Sequence, residues 1–284
     1  MKSDIMKKNN KIINKFLSYL FLSIVTLIII APFYWMVATS LKESTKVFEF
    51  PPQLIPKPVV FQNYVELFKF QPNFPMYYFN SLYIAVLVTL GTAIVASLAG
   101  YAFAKINFPF RGTIFIILLS SMMIPTEATA IPLFNWMSEL KWTNTHLPLI
   151  IPPILGSGGM FGLFMMRQYF ITIPNDMDEA AKIDGCNQWQ IFYKIMLPMA
   201  GPALGSLSLI TFLANWNEFF TPLIFLSSDK LYTLPLGLSM FTDQAGTQWN
   251  LVMTASVIAT IPLLLVFFFA QKQFIESIAL SGIK

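Results

Sequence analysis

The chain has 284 residues, of which 56% are hydrophobic, 15% are aromatic and only 11% are charged. Its mean hydropathy of +0.63 departs from the composition of soluble globular proteins toward that of membrane proteins. The formal net charge is +4, and in so apolar a chain basic residues mark the cytoplasmic side of a membrane rather than a nucleic-acid-binding surface. We therefore expect an integral membrane protein.

Six apolar stretches are long enough to cross a bilayer, which takes about 20 residues per helix. They lie at about residues 16–39, 80–104, 113–134, 147–166, 199–220 and 251–270. They lack the alternating pattern of barrel strands, and helices are then the only structures that satisfy the backbone in lipid. The predicted fold is therefore all-α, with six transmembrane helices.

The first stretch follows the basic leader MKSDIMKKNNKIINK. A secretory signal has an apolar core of about 7–15 residues and a small-x-small cleavage site, so this longer stretch is expected to remain as an uncleaved anchor. With the N-terminus inside, the inner segments carry twice as many lysines and arginines as the outer ones, which places both termini in the cytoplasm. The predicted division is a cytoplasmic tail at 1–15, a transmembrane domain at 16–274 and a cytoplasmic tail at 275–284.

Catalytic and metal sites are not indicated. Cys186 and His146 are the only residues of their types, so neither has the partners that a disulfide, a metal site or a catalytic site needs. No glycine is followed by lysine, so the phosphate-binding loop G-x-x-x-x-G-K-[ST] is missing. We predict no catalytic residue, no metal and no cofactor in this chain, and any ATP must be bound by another polypeptide.

The predicted cytoplasmic loop between spans four and five, residues 168–198, contains the polar stretch NDMDEAAKIDG. Asn175 is a candidate N-cap, and the acids that follow it complement the positive end of a helix. Asp178 can pair with Lys182 one turn later. Gly185 is expected to end this helix in a left-handed conformation, where glycine is favoured. The stretch predicts a short acidic helix that ends at a glycine corner.

A second amphipathic helix is predicted directly after the corner. Asn187 can cap it and Pro198 closes it. Its apolar residues recur at i, i+3, i+4 and i+7: Trp189, Phe192, Tyr193 and Met196.

In the first helix, Met177, Ala180 and Ala181 give a small face suited to a groove. A helix lying on lipid is the alternative, but such helices are rich in Lys and Arg, whereas this one is acidic, so a protein partner is favoured.

The run EAAKIDGCNQWQIFYKIMLP resembles the EAA loop of ABC importer permeases, which has the pattern E-A-A-x3-G-x9-I-x-L-P. The matching positions are Glu179, Ala180, Ala181, Gly185, Ile195, Leu197 and Pro198. The resemblance implies that these residues, with Asp184 between them, couple the chain to an ATP-binding subunit. In that family a helix of the loop seats in a cleft of the ATPase, and its movement switches the spans between inward-open and outward-open states.

Further blocks resemble the carbohydrate importers of the maltose-transporter type, specifically the six-span partner of the permease pair. Among them are GYAFAKINFPFRG, MMIPTEATAIPLF and NWNEFFTPLIFL, and the resemblance runs from about residue 40 to the C-terminus. It implies one half of a pathway for a sugar, a di- or oligosaccharide, in a bacterial cell membrane. The implied partners are a second homologous permease, two ATP-binding subunits that hold ATP and Mg, and an extracytoplasmic sugar-binding protein.

The predicted outer loop at residues 43–78 is rich in proline and too polar to span. Its apolar residues with helical spacing are Phe61, Tyr64, Val65 and Phe68. This spacing predicts a short helix at the outer interface. The loop either receives the binding protein or forms a structural lid.

Polar residues inside spans are candidate pathway positions, because they are costly in lipid. Thr211, Asn215 and Glu218 fall on one face of span five, and Trp216 and Asn217 flank them. Amides and a carboxylate beside an aromatic ring suit the hydroxyl edges and the apolar face of a sugar. A hydrogen-bond cluster that only holds helices together is the other interpretation.

Glu127 in span three, between Pro125 and Pro132, is a further pathway candidate.

Two rival functions stay open. An ion-coupled secondary transporter would need coupling-ion residues and internal repeats, for which Glu127 and Glu218 are thin support. An ABC permease for another solute, such as glycerol phosphate, is not excluded by the loop, although a phosphate ester calls for Arg or Lys in the spans.

Overall fold

The computed structural model describes residues 2–243 and 246–282, with the side chains of 13–241, 246–268 and 271. In that part of the chain the α-helices are α1 Lys2–Ser40, α2 Asn63–Phe70, α3 Phe74–Lys105, α4 Arg111–Ser120, α5 Thr126–Glu139, α6 Leu147–Leu155, α7 Ser157–Thr172, α8 Asn175–Ile183, α9 Gln188–Ile191, α10 Leu197–Met199, α11 Gly201–Trp216, α12 Phe220–Phe225, α13 Leu234–Leu238 and α14 Trp249–Gly282. The all-α prediction is confirmed. Most side chains of the predicted tails at 1–15 and 275–284 lie outside the described residues.

Shorter elements connect these helices. The 3-10 turns are Ser44–Lys46, Ser121–Met123, Asp229–Leu231 and Ser239–Phe241, and Phe192–Met196 is a π-helix. A two-residue antiparallel pair, β1 Thr242–Asp243 with β2 Gly246–Thr247, places Thr242 opposite Thr247.

Four helical runs within the described residues are long and apolar enough to cross a membrane: Ile13–Ser40, Phe74–Lys105, Leu147–Thr172 and Trp249–Phe268. Two further apolar pairs are bent, Arg111–Met123 with Thr126–Glu139 by 99°, and Gln188–Met199 with Gly201–Trp216 by 74°. The helices therefore account for four spans, or for the predicted six if each bent pair makes one span.

The predicted span at 113–134 is not one continuous helix. Ile124 has an extended backbone, with φ −85° and ψ 118°, between the two arms of the first bent pair. Pro125 follows, and the residue before a proline is pushed out of the helical region by the proline ring. A second difference concerns the span at 199–220, because α11 ends at Trp216 and leaves Glu218 in the connection to α12.

One compact unit comprises residues 1–71 and 241–258. At its centre, the buried amide of Asn63 donates to Ser40 O at 2.8 Å and accepts from Asn250 Nδ2 at 3.1 Å. Buried amides are stable only when hydrogen-bonded, so this network ties α2 to the end of α1 and the start of α14.

The short helix predicted in the outer loop is α2, and it belongs to this same unit. Phe61, Val65 and Phe68 are 70%, 48% and 44% exposed, whereas the Tyr64 hydroxyl lies 3.1 Å from Ser40 Oγ. Three of the four apolar residues thus stay outside the packed interior. Whether this face receives a binding protein stays a prediction.

A second unit comprises residues 72–240 and 259–284. In it α3 packs along α7 and α11. A Cβ atom at Gly162 would stand 2.9 Å from Ala96 Cβ, and one at Gly100 would stand 2.6 Å from Met166 Cβ. Small residues therefore let α3 and α7 approach closely, as in many membrane helix pairs.

Candidate functional site

The polar segment at residues 175–198, which we call the coupling segment, turns sharply at a glycine. Near the end of α8, Cys186 N–H donates to Ala181 O at 2.9 Å and Gly185 N–H donates to Lys182 O at 3.0 Å. Gly185 has φ +82°, a conformation that only glycine adopts without a steric cost. The predicted glycine corner is confirmed.

The start of α8 differs from the prediction. Pro174 occupies the cap position without a side-chain cap bond, and Asn175 is the first helical residue. Asn175 Oδ1 accepts from Lys105 Nζ at 2.8 Å. Asp178 Oδ2 also lies 3.5 Å from Lys105 Nζ. The expected N-cap and the expected pair with Lys182 are wrong, because a lysine from α3 reaches both side chains.

The exposed face of α8 also differs from the predicted one. Ala181 is only 4% exposed and belongs to a hydrophobic core with residues of α3, α7 and α11. The structure therefore removes Ala181 from the predicted docking face. Met177 is 43% exposed and Ile183 is 87% exposed. The other exposed residues of this stretch are Asn175, Asp176, Glu179, Ala180, Lys182, Asp184 and Gly185.

The second half of the coupling segment begins at the predicted cap. Asn187 Oδ1 accepts from Gln190 N–H at 2.9 Å, and Gln190 Oε1 accepts from Asn187 N–H at 2.8 Å, so the two residues form a capping box. Pro198 lies in α10, and the helical run Gln188–Met199 ends one residue after it and bends by 74° into α11. The predicted end of this helix is therefore correct to within one residue.

The apolar face of this half is only partly as predicted. Phe192 and Met196 are buried together with Ile191, but Trp189 and Tyr193 are 67% and 51% exposed. A π-helix over Phe192–Met196 accommodates an extra residue per turn and rotates the face away from the regular 3.6-residue period. The remaining motif residues, Ile195 and Leu197, are half-buried, and Pro198 is exposed.

A cavity of about 920 Å³ lies among α3, α5, α6, α7, α11 and the loops that follow them. Thr211, Asn215 and Glu218 all line it, as the predicted stripe requires. Asn215 Nδ2 donates to Thr211 O at 2.8 Å, and Glu218 Oε1 accepts from Thr221 N–H at 2.9 Å. The stripe therefore combines access to the cavity with local backbone contacts.

The other three pathway candidates do not line this cavity. Trp216 is 2% exposed and its ring stacks on Phe212 at 5.8 Å. Asn217 Nδ2 donates to Leu213 O at 2.8 Å, and Asn217 is not among the lining residues. Glu127 is exposed at the start of α5, outside the lining. Helical spacing had placed Trp216 and Asn217 beside the stripe and not on it, and neither lines the cavity.

Sequence reasoning missed several lining residues. Trp136 and Trp142 line the cavity, and so do Ser121, Thr129 and Ser157. The two tryptophans stand in the stretch WMSELKW at the end of the third apolar run, which was a signal that the prediction did not use. Among the described residues that line the cavity, Glu218 is the one charged side chain.

Both ring nitrogens of His146 contact polar groups of neighbouring residues. Its Nε2 lies 2.7 Å from Leu231 O, and its Nδ1 contacts the Tyr83 hydroxyl. No group of three or more His, Cys, Asp or Glu side chains that could hold a metal ion occurs among the described residues.

Residues 93–279 match the family model described as the binding-protein-dependent transport system inner membrane component. The chain is 35% identical to the trehalose/maltose transport system permease protein of Thermococcus litoralis, over 92% of this chain and 94% of the relative. It is 33% identical to the arabinooligosaccharides transport system permease protein of Bacillus subtilis, over 93% and 94%.

Among solved structures, the chain is similar to a chain of a bacterial ABC transporter involved in the import of the acidic polysaccharide alginate. The TM-score is 0.81 at 23% identity, and the match covers 92% of this chain and 96% of that chain. This similarity establishes the fold.

Proposed function

Because the chain belongs to the family of binding-protein-dependent transport system inner membrane components, we propose that it forms half of a sugar pathway in an ABC importer and receives ATPase motion through its coupling segment. As a member of this family it is a multi-pass membrane permease subunit and not an enzyme. The observation that carries the proposal is the coupling segment: an exposed helix that ends at a left-handed glycine and is fixed at its inner side to the membrane helices.

The exposed side of α8 suits a protein groove. Met177 and Ile183 present apolar surface, Ala180 keeps the face between them small, and Glu179 adds one charge. In the proposal this face seats in a cleft of an ATP-binding subunit. Two such subunits bind ATP and Mg²⁺, and a second permease completes the pathway. A binding protein delivers the sugar from outside, and the membrane-embedded chain holds no cofactor of its own.

The cavity supports a neutral sugar as the solute. Threonine and serine hydroxyls, the Asn215 amide and the Glu218 carboxylate offer partners for sugar hydroxyl groups, while Trp136 and Trp142 offer flat apolar surfaces. An anionic solute would be repelled by Glu218, and no lysine or arginine occurs among the described lining residues. Glycerol phosphate is therefore not proposed. The family assignment removes the ion-coupled secondary transporter.

Reconstitution of the complex tests this function. The permease, its pair partner, the ATP-binding subunits and the binding protein are co-purified and placed in proteoliposomes, and ATP hydrolysis is measured with candidate solutes. We expect stimulation by a neutral di- or oligosaccharide and none by glycerol phosphate. Stimulation by glycerol phosphate or by a uronate oligosaccharide alone would contradict the sugar assignment. Failure of the ATP-binding subunits to co-purify would contradict the coupling role.

The orientation of the chain gives a separate prediction. Single cysteines at Lys182, Lys57 and Lys230, which are all exposed, are introduced in a Cys186→Ser background. A membrane-impermeant thiol reagent added to intact cells should label positions 57 and 230 and leave position 182 unlabelled until the cells are opened, because the positive-inside rule places 182 in the cytoplasm. External labelling of position 182 would mean that the coupling segment faces the wrong side for an ATPase.

A further inference from the structure

The C-terminal end of α3 holds the start of the coupling segment through one lysine. Lys105, the last residue of α3, donates from Nζ to Ile173 O at 2.7 Å and to Asn175 Oδ1 at 2.8 Å. Its Nζ also lies 3.5 Å from Asp178 Oδ2, and the two side chains are only 5% and 11% exposed. An ammonium group has three N–H donors, and these three acceptors lie in the short link before α8 and in the first turn of α8.

The buried carboxylate of Asp178 depends on its ion pair with Lys105. Its second oxygen, Oδ1, is buried and has no hydrogen-bond partner among the described residues. A buried carboxylate that loses its counter-ion is strongly destabilising. Lys182, the other lysine within reach along the helix, is exposed and forms no ion pair with Asp178. Lys105 is therefore the cation that neutralises Asp178 within the described part of the chain.

Tyr101 holds the other half of the coupling segment. It lies one turn before Lys105 on the same face of α3. Its hydroxyl donates to Gln188 Oε1 at 2.8 Å, and its ring lies 5.3 Å from the ring of Phe192. Since Gly185 separates α8 from α9, Lys105 and Tyr101 each hold one side of the glycine corner.

The helix that carries these two residues also reaches the cavity. Ser81 and Ile84 of α3 line the cavity, and Lys105 lies about 36 Å from Ser81 along the helix at 1.5 Å per residue. No proline interrupts α3 after its first turn, so the commonest cause of a helix kink is absent from it. At Gly100 the backbone of α3 is in close contact with α7, because a Cβ added to Gly100 would stand 2.9 Å from Arg167 N.

We propose that α3 is the lever that carries movement of the coupling segment to the cavity, and that Lys105 is the positioning residue that fastens α8 to this lever. The inference rests on the proposed function, since it needs an ATP-binding subunit that moves α8. Lys105 itself contacts neither ATP nor solute. Its role is to keep α8 and α3 together when α8 is displaced, so that displacement at one end of α3 changes the cavity at the other.

A two-step substitution separates fastening from stability. Lys105→Met removes the three contacts and leaves Asp178 as an unpaired buried charge. The double variant Lys105→Met/Asp178→Asn removes that charge as well, so its thermal stability should return close to that of the unchanged protein. Because no donor then fastens α8, sugar transported per ATP hydrolysed should stay lowered by about tenfold or more, the scale of losing charge-assisted contacts. Lys15→Met, the same change at an exposed position of α1, is the control and should stay fully coupled.

The measurement is made in the reconstituted complex, with stimulated ATP hydrolysis and sugar uptake recorded in the same vesicles. In the Cys186→Ser background, ATP-dependent labelling of Leu155→Cys, an exposed position that lines the cavity, should disappear in the double variant, while ATP-dependent labelling of Lys182→Cys on α8 persists. Recovery of coupling together with stability in the double variant would show that Lys105 is only structural and would overturn the inference. If the unchanged complex binds no ATPase or shows no stimulated hydrolysis, the proposed function fails first and this inference falls with it.

Discussion

Substitution of Gly185 by valine is expected to uncouple ATP hydrolysis from transport. Gly185 has φ +82°, and a left-handed conformation costs an L-residue about 1–2 kcal/mol, with β-branched residues at the upper end. No atom lies within 4 Å of a Cβ built at this position, so the cost comes from the backbone and not from a clash. The corner then relaxes, and α8 changes its angle to α9 while the membrane helices keep their packing.

The matched control is Gly185→Asn. Asparagine is the residue other than glycine that most readily adopts the left-handed conformation, so the corner should be retained. The unchanged protein and the Asn variant should retain the ATPase on purification and couple hydrolysis to uptake, whereas the Val variant should hydrolyse ATP with little uptake or release the ATPase. Equal coupling in the Val and Asn variants would mean that the corner geometry does not matter and that this segment is an ordinary interfacial loop.

Glu179→Lys tests the docking face beside that corner. Glu179 is exposed on α8, so reversing its charge leaves the interior of the permease unchanged. We expect weaker retention of the ATPase, and the loss should lessen at high salt because exposed charges are screened. The control is Glu139→Lys, at the end of α5 and outside the coupling segment, where ATPase retention should not change.

The features that the sequence predicted well are local. The glycine corner and the Asn187 cap depend on residues within one or two helical turns, and both are present. Such short-range contacts can be read from spacing because the helix geometry itself brings the partners together. The apolar runs that make up the all-α fold were found for the same reason, since the length of a run decides whether it can span.

The features that the sequence did not predict depend on tertiary contacts. Helical spacing assigned Lys182 as the partner of Asp178. The actual partner is Lys105, which is distant in the sequence, lies on a different helix and places its Nζ 3.5 Å from Asp178 Oδ2. Ala181 was placed on the docking face, although neighbouring helices cover it. The apolar period of the second half fails where the π-helix interrupts it. Spacing along one helix cannot report which side another helix will cover.

The residues predicted for the cavity are also partly right and partly wrong. Three residues of the predicted stripe line it, but Trp216 and Asn217, adjacent to them in the sequence, do not. Trp216, the last residue of α11, lies beside the face of Thr211 and Asn215 and packs on Phe212. Asn217 and Glu218 follow the end of the helix, where helical spacing no longer fixes their directions. Glu218 still reaches the cavity, and its Oε1 accepts a hydrogen bond from Thr221 N–H in the first turn of α12.

Asn215→Ala is expected to impair sugar uptake without loss of assembly. Asn215 lines the cavity, and its Nδ2 donates to Thr211 O at 2.8 Å within the same helix. Asn217 provides a close control, because its Nδ2 makes the same kind of bond to Leu213 O at 2.8 Å but Asn217 does not line the cavity. If only the backbone contact matters, both alanine variants should behave alike. If access to the solute matters, only Asn215→Ala should lower uptake.

Glu218 is tested with two substitutions for the same reason. Glu218→Gln keeps an oxygen that can accept from Thr221 N–H and removes the charge, whereas Glu218→Ala removes both. For each lost contact to a sugar hydroxyl, we expect uptake at low sugar concentration to fall about 2- to 10-fold, which corresponds to about 0.5–1.5 kcal/mol. Binding-protein-stimulated uptake and the amount of assembled complex are measured together. Loss of assembly in Asn215→Ala and in both Glu218 variants, with normal transport by the complexes that remain, would instead identify the stripe as a packing cluster that holds the helices together.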